Sequence, residues 1–206
     1  MKIDMHTHSK YSNTDDMPIN SVKDYLDVYY KGLVDGFAVT EHNTFRSFKT
    51  IHNYIKKKVP DMLIIRGVEI STAKGHILGY GLTELVPRGL SPQETIDLIR
   101  AQGGVSVIAH PYAPFGVRFG MKKLKYYDGV EELNGILFDL PDKFTHKRVK
   151  DLKCAKMGGS DSHMPWTLGN TFTKFPKDTY SEDDVLKWIR KRKVKPGRQS
   201  NRTILN

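Results

Sequence analysis

Residues 89–111 read GLSPQETIDLIRAQGGVSVIAHP and hold one complete helix-to-strand joint. Ser91 stands at an N-cap, Pro92 at the first helical position and Glu94 at the third, a pattern that satisfies the free amides of a helix start. Gly103 and Gly104 stop the helix. The apolar run that follows has the length and β-branching of a buried strand, and it ends in a histidine. The same alternation runs along the chain. Strands are expected over 2–8, 36–42, 62–71, 76–81, 105–110, 129–133 and 156–160, and helices over 19–30, 45–58, 92–102, 143–154 and 182–192. Such alternation argues a largely parallel sheet with crossover helices, either open and doubly wound or closed into a barrel.

A chain of 206 residues can bury one sizeable core, and no internal repeat, low-complexity tract or Gly/Ser linker divides it. One domain over 1–206 is expected, with a basic helix and tail from about residue 181. The formal charge is +10, and KWIRKRKVKPGRQSNR (187–202) carries eight Lys or Arg and no acid. Such a run is either a solvated helix face and tail or a contact surface for phosphates, including nucleic acid. No apolar run approaches a bilayer span and the start MKIDMHTHSKYS lacks the apolar core of a secretory signal, so a cytoplasmic protein without membrane contact is expected. The single cysteine, Cys154, can form no internal disulfide or thiolate metal site and reads as a small buried apolar residue.

The chemistry-bearing residues collect at the strand ends. They are His6 and His8 in DMHTHS, His42 in AVTEHN, Glu69 in IRGVEIS, His76 in KGHILGYG, His110 in VSVIAHP, and Asp161 and His163 in GGSDSHM, six of the eight histidines in the chain. Loops beyond the C-terminal strand ends carry the active site in α/β folds, so these residues converge without being sequence neighbours. Residues i and i+2 of a strand project from the same side, so His6 and His8 can grip one ion, as can Asp161 and His163. Any one of these histidines alone would read as a hydrogen-bonded structural residue. Six at strand ends with two acids beside them point to a metal site. His52 and His146, placed mid-helix, lack that setting. The stretch PYAPFGVRFGMKKLKYYDG (111–129) has no clear period, and a loop of that length in a compact domain is commonly functional.

The ordered set HTHS, TEHN, GVEIS followed by HILGYG, AHP and SDSH resembles the PHP (polymerase and histidinol phosphatase) superfamily of metal-dependent phosphoesterases, over residues 6–163. The resemblance implies a distorted seven-stranded (β/α) barrel with two or three divalent ions (Zn, Mn or Fe) in its mouth. Carried over by position, it puts His6, His8, Glu69 and Asp161 on one ion, with Glu69 bridging to a second held by His76 and His110. A third falls to His42, His163 and an acid from the loop after the first motif. Relatives often carry Asp five residues past the second histidine; here that position is Asn13, and Asp15, with Asp16 as alternative, is expected to take its place. Glu69, Asp161 and His163 are the expected catalytic residues.

An imidazole and carboxylate set without thiolate suits Zn, Mn or Fe. Two ions about 3.5–4 Å apart can share a hydroxide in line with a phosphorus atom, so hydrolysis of phosphate esters of nucleotides or short oligonucleotides by a metal-activated hydroxide is expected. Arg118 and Lys74 are the candidate substrate contacts. Two alternatives stand beside this: a histidinol-phosphate phosphatase, and a noncatalytic nucleic-acid-binding subunit on the same fold.

Overall fold

The computed structural model describes residues 1–11, 18–113, 116–136 and 139–200, with backbone alone for 118–119 and 139–142. The chain runs β1 (Lys2–Thr7), α1 (Val22–Tyr30), β2 (Gly36–Val39), α2 (Phe48–Lys58), β3 (Leu63–Thr72), β4 (Gly75–Tyr80), α3 (Pro92–Ala101), β5 (Val105–Ile108), β6 (Gly129–Asn134), α4 (Asp139–Val149), β7 (Ala155–Gly159), β8 (Thr171–Lys174), α5 (Glu182–Arg190) and β9 (Lys195–Arg198). Each expected strand and helix is found, with α4 set several residues earlier than its pattern suggested. Part of the aperiodic stretch 111–129 forms a 3-10 helix over Arg118–Lys123.

The strands form one sheet in the order β7-β6-β5-β4-β3-β2-β1-β8-β9. β1, β2 and β3 pair in parallel, as do β5, β6 and β7, while β4 runs antiparallel between the two sets. The sheet curls until its ends meet: Asp161 N donates to His6 O (2.7 Å) and His8 N to Ser162 O (3.0 Å), joining the exit of β7 to β1. The result is a nearly closed barrel of the expected class with, among the described residues, nine strands instead of seven. β8 and β9, the two unforeseen, lack the apolar run that marks the equally short β2 and β5. KPGR in β9 carries the Pro and Gly that ordinarily mark a loop, and β9 sits where such residues are tolerated, at the end of the sheet.

Alternation divides the apolar residues into an inside and an outside. Ile3 and Met5, Leu63 and Ile65, Leu78 and Tyr80, Val105 and Val107, and Ala155 and Met157 fill the barrel. The intervening Phe37, Val39 and Ile64 meet α1 and α2, and Val68 and Ile70 meet Ile96 and Ile99 of α3. Val185, Leu186 and Ile189 of α5 join the inner core, so α5 plugs the end of the barrel where the parallel strands begin. Arg190 confirms that placement by donating to the carbonyl of Gly103, just before β5. The basic residues from Lys187 to Lys195 therefore lie at the floor of the barrel, not beside its mouth. Among the described residues no helix is long and apolar enough to cross a membrane.

Candidate metal centre

The inward face of each strand, followed upward past the apolar layers, delivers a polar side chain to the mouth. On β3 the series Leu63, Ile65, Gly67 ends at Glu69; on β4, read back from Tyr80 and Leu78, it ends at His76; on β6 it continues from Gly129 to Glu131. β1 needs a device, because Ile3 and Met5 face inward and strict alternation would send His6 out. The register between β1 and β2 slips between Asp4 and Thr7, and such a bulge re-aims the side chains beyond it. His110 (φ 21°) and Asp161 (φ 54°) leave their strands with positive φ, a conformation costing about 1 kcal/mol or more that concentrates at functional sites.

Glu69 is the hub. Its Oε2 lies 3.1 Å from His6 Nε2, 3.1 Å from His8 Nε2 and 3.3 Å from His42 Nε2. Its Oε1 lies 2.8 Å from His76 Nδ1 and 3.0 Å from His110 Nε2. Asp161 Oδ1 is 3.4 Å from His6 Nε2 and 3.3 Å from His8 Nε2. The two Nε2 atoms of His6 and His8 face one another at 3.2 Å. Five imidazoles thus converge on one buried carboxylate with two oxygens, more ring nitrogens than it can satisfy by hydrogen bonds.

The surroundings fix which nitrogen each ring presents. His6 Nδ1 meets Glu131 Oε1 at 3.1 Å, and His163 Nδ1 lies 2.9 Å from the Asp161 carbonyl, the arrangement that leaves Nε2 turned to the pocket. Glu131 also accepts from His110 N (2.8 Å) and Asn134 Nδ2 (3.0 Å), and Asn134 donates to Asp161 Oδ2 (3.1 Å). Glu41, buried beside His42, accepts from Ser9 Oγ (2.5 Å) and Ser47 Oγ (2.7 Å). His8 Nδ1 and His110 Nδ1 are buried without a hydrogen-bond partner among the described residues. Sequence reading missed Glu131, Glu41 and Asn134, since none sits in a histidine pair. The strand-end acid in GVEELN was the available signal.

Electrostatics follow from the crowding. Burial would depress His6, but the carboxylates of Asp161, Glu69 and Glu131 overrule it and hold the ring well above the ordinary histidine value. His8 is likewise opposed by burial and carried up to about 10 by its contacts with Asp161 and Glu69. Burial pushes Glu69 and Asp161 up, yet His6 and the neighbouring rings leave both well below the usual carboxylate range. The pocket is built to hold positive charge.

Three sets of donor atoms lie within 4.8 Å of one another and could each hold an ion: His6, His8, Glu69 and Asp161; His42, Glu69 and His76; and His8, His42 and His163. Only nitrogen and oxygen donors are present, which fits Zn, Mn or Fe. Asp15 and Asp16 lie outside the described residues. Lys74 is exposed at the tip of the β3–β4 hairpin; Arg118 begins the 3-10 helix, its side chain outside the description.

A family model described as PHP-associated matches residues 147–194. The protein MJ1587 of Methanocaldococcus jannaschii is 35% identical over 142 residues, covering 65% of this chain and 82% of the relative. Among solved structures, a two-domain protein containing a predicted PHP-like metal-dependent phosphoesterase from Bacteroides vulgatus superposes with a TM-score of 0.76 at 20% identity, over 97% of this chain and 65% of that one. The lesion-specific endonuclease EndoQ of Pyrococcus furiosus gives 0.67 at 17% identity, over 95% of this chain and 57% of that one. This chain therefore spans less than two thirds of either solved protein. With the barrel and the matching motifs in place, it belongs to the PHP superfamily.

Proposed function

We propose that this protein is a metal-dependent phosphoesterase that hydrolyses phosphate esters of nucleotides or short oligonucleotides. The convergence of five imidazoles on Glu69, with Asp161 opposite, carries the reading. Divalent ions bound there would supply positive charge against phosphoryl oxygens and acidify water. His6, His8, Glu69 and Asp161 would hold one ion. Glu69 would bridge to a second, with His76 and His110 on its other oxygen and His42 at hand. His163 and His42 would hold a third, completed by Asp15.

The chain's own residues do the positioning. Glu131 keeps His6 Nδ1 occupied and anchors the His110 backbone, so both rings keep their aim without substrate. Asn134 orients Asp161. His163, braced through Nδ1 by the Asp161 carbonyl, keeps its other nitrogen aimed at the pocket, where it would meet the third ion. Lys74 and Arg118 are the cations offered to a substrate phosphate. The superposition with a lesion-specific endonuclease supports a nucleic-acid-related ester.

The test is reconstitution. Metal-stripped protein given Mn or Zn should hydrolyse an aryl phosphate ester and members of a nucleotide panel, with histidinol phosphate assayed alongside. Glu69→Ala should lose more activity and more bound metal than His110→Ala, because a bridging carboxylate serves two ions, and both losses should exceed the roughly 10–100-fold that removal of an outer-shell partner costs. No turnover with any metal or substrate would remove the reading.

A further inference from the structure

Trp166 is 65% exposed, against the strong tendency of so large a ring to bury itself. It lies three residues beyond His163, so its Cα is at most about 10 Å from that of His163. The loop that carries it is braced. Thr167 N donates to Met164 O (3.0 Å), closing a turn with Pro165 at its second position, and Ser162 Oγ donates to the same carbonyl (2.9 Å). Thr167 Oγ1 donates to Ser162 Oγ (2.9 Å).

The loop following β1 is tied to this one: His8 N donates to Ser162 O (3.0 Å), Ile19 N to His163 O (2.8 Å) and Asn20 Nδ2 to Ser162 O (2.8 Å). Its described residues bring more exposed apolar surface, Tyr11 at 39% and Ile19 at 53%, and Met164 on the loop it is tied to is 45% exposed. It also brings the exposed Lys10, whose ammonium is 5.6 Å from the centre of the Tyr11 ring. Apolar side chains held out to solvent at the edge of a buried ionic cluster serve no packing purpose there.

We propose that this rim is a base-stacking platform. Trp166, with Tyr11 beside the same mouth, receives the nucleobase of the nucleotide whose phosphate enters the imidazole cluster, and Lys10 faces the neighbouring phosphate. The substrate is then a nucleotide or single-stranded oligonucleotide in preference to a sugar phosphate. This rests on the phosphoesterase reading and narrows its substrate class. Stacking tolerates any base, because each has a π-face, and a loop already braced by hydrogen bonds gives up little backbone freedom on binding.

The experiment compares short oligothymidylate with its abasic counterpart, and thymidine 5′-phosphate with ribose 5-phosphate, on wild-type and Trp166→Ala protein. Trp166→Ala should raise KM for the base-containing members about 10-fold, within the range of base–aromatic stacking, leave KM for the abasic members unchanged, and be largely rescued by Trp166→Phe. Turnover with equal effects on both members of each pair would overturn the platform and leave the phosphoesterase reading standing. The converse failure is separable by binding. The chain has two tryptophans, so in Trp188→Phe protein stripped of metal the fluorescence reports Trp166 alone. Quenching by oligothymidylate and not by the abasic strand supports the platform even without turnover; no quenching, or equal quenching by both, overturns it.

Discussion

At the scale of single residues the governing fact is that Glu69 is surrounded by five imidazole nitrogens, more than one carboxylate can satisfy. In the metal-free protein His6 and His8, both raised above the ordinary histidine value, keep their protons at neutral pH. The sign of the consequence is fixed. These pairs stabilise the metal-free fold below the ordinary histidine pKa, and for His8 that contribution is lost as pH rises through about 10. A metal ion must displace the same protons, so binding of Zn or Mn should release protons and tighten as pH rises from about 6 to about 8. Calorimetric titrations in two buffers of different ionisation enthalpy measure this directly; an observed enthalpy independent of buffer would contradict it. The histidine pairs and acids were visible in the sequence as motifs. Glu131, which sets the tautomer of His6 across 125 residues of chain, was not, because nothing local to GVEELN reveals what stands opposite it.

At the scale of elements, the seam between β7 and β1 is the vulnerable joint. A Cβ on Gly159 would fall 2.8 Å from Glu131 Oε1 and 2.9 Å from His6 N, and on top of His6 Cβ. Gly159→Ala should therefore cost about 1–3 kcal/mol, as overpacking does, and lower the metal content of the purified protein; denaturant titration and metal analysis read the two effects. Helix α3 offers a contrast, since its start is specified locally. Ser91 Oγ accepts from Glu94 N (3.3 Å) while Glu94 Oε2 accepts from Ser91 N (2.9 Å). Ser91→Ala should cost about 1 kcal/mol in thermal denaturation and leave metal binding intact. That helix was legible to within a residue because capping chemistry is written in adjacent side chains. β8 and β9 were not, because their pairing is decided by β1 and by one another.

At the scale of the molecule, the barrel is plugged at one end by α5 and open at the other, and β9 returns the chain from floor to mouth. Gln199, just past β9, donates through Nε2 to Leu33 O (2.5 Å) and through N to Asn170 O (2.8 Å), tying the C-terminal strand to the loop before β2 and the entry of β8. Ending the chain at Val194 should remove these bonds with the β8–β9 ladder and cost about 3 kcal/mol, a fall in melting temperature of roughly 6–12 °C. An unchanged transition would show that β9 is an accessory. The basic run, read from sequence as one stretch of charge, is divided by this geometry: Lys187 to Lys195 stay at the floor, while Arg198 reaches the carbonyl of Asn134 on the mouth side (2.8 Å).

The amino-acid sequence alone determined the seven principal strands, the helices between them and the histidines, Glu69 and Asp161 that meet in the pocket. Periodicity, caps and i, i+2 pairs are properties of neighbours along a chain. Tertiary structure decided the rest: the antiparallel course of β4, the two added strands, the bulge that turns His6 inward, and the meeting of Glu131 with His6 and of α5 with the barrel floor. Those outcomes depend on which backbone edges and side chains arrive opposite one another once the sheet curls. No local pattern encodes a partner more than a hundred residues away.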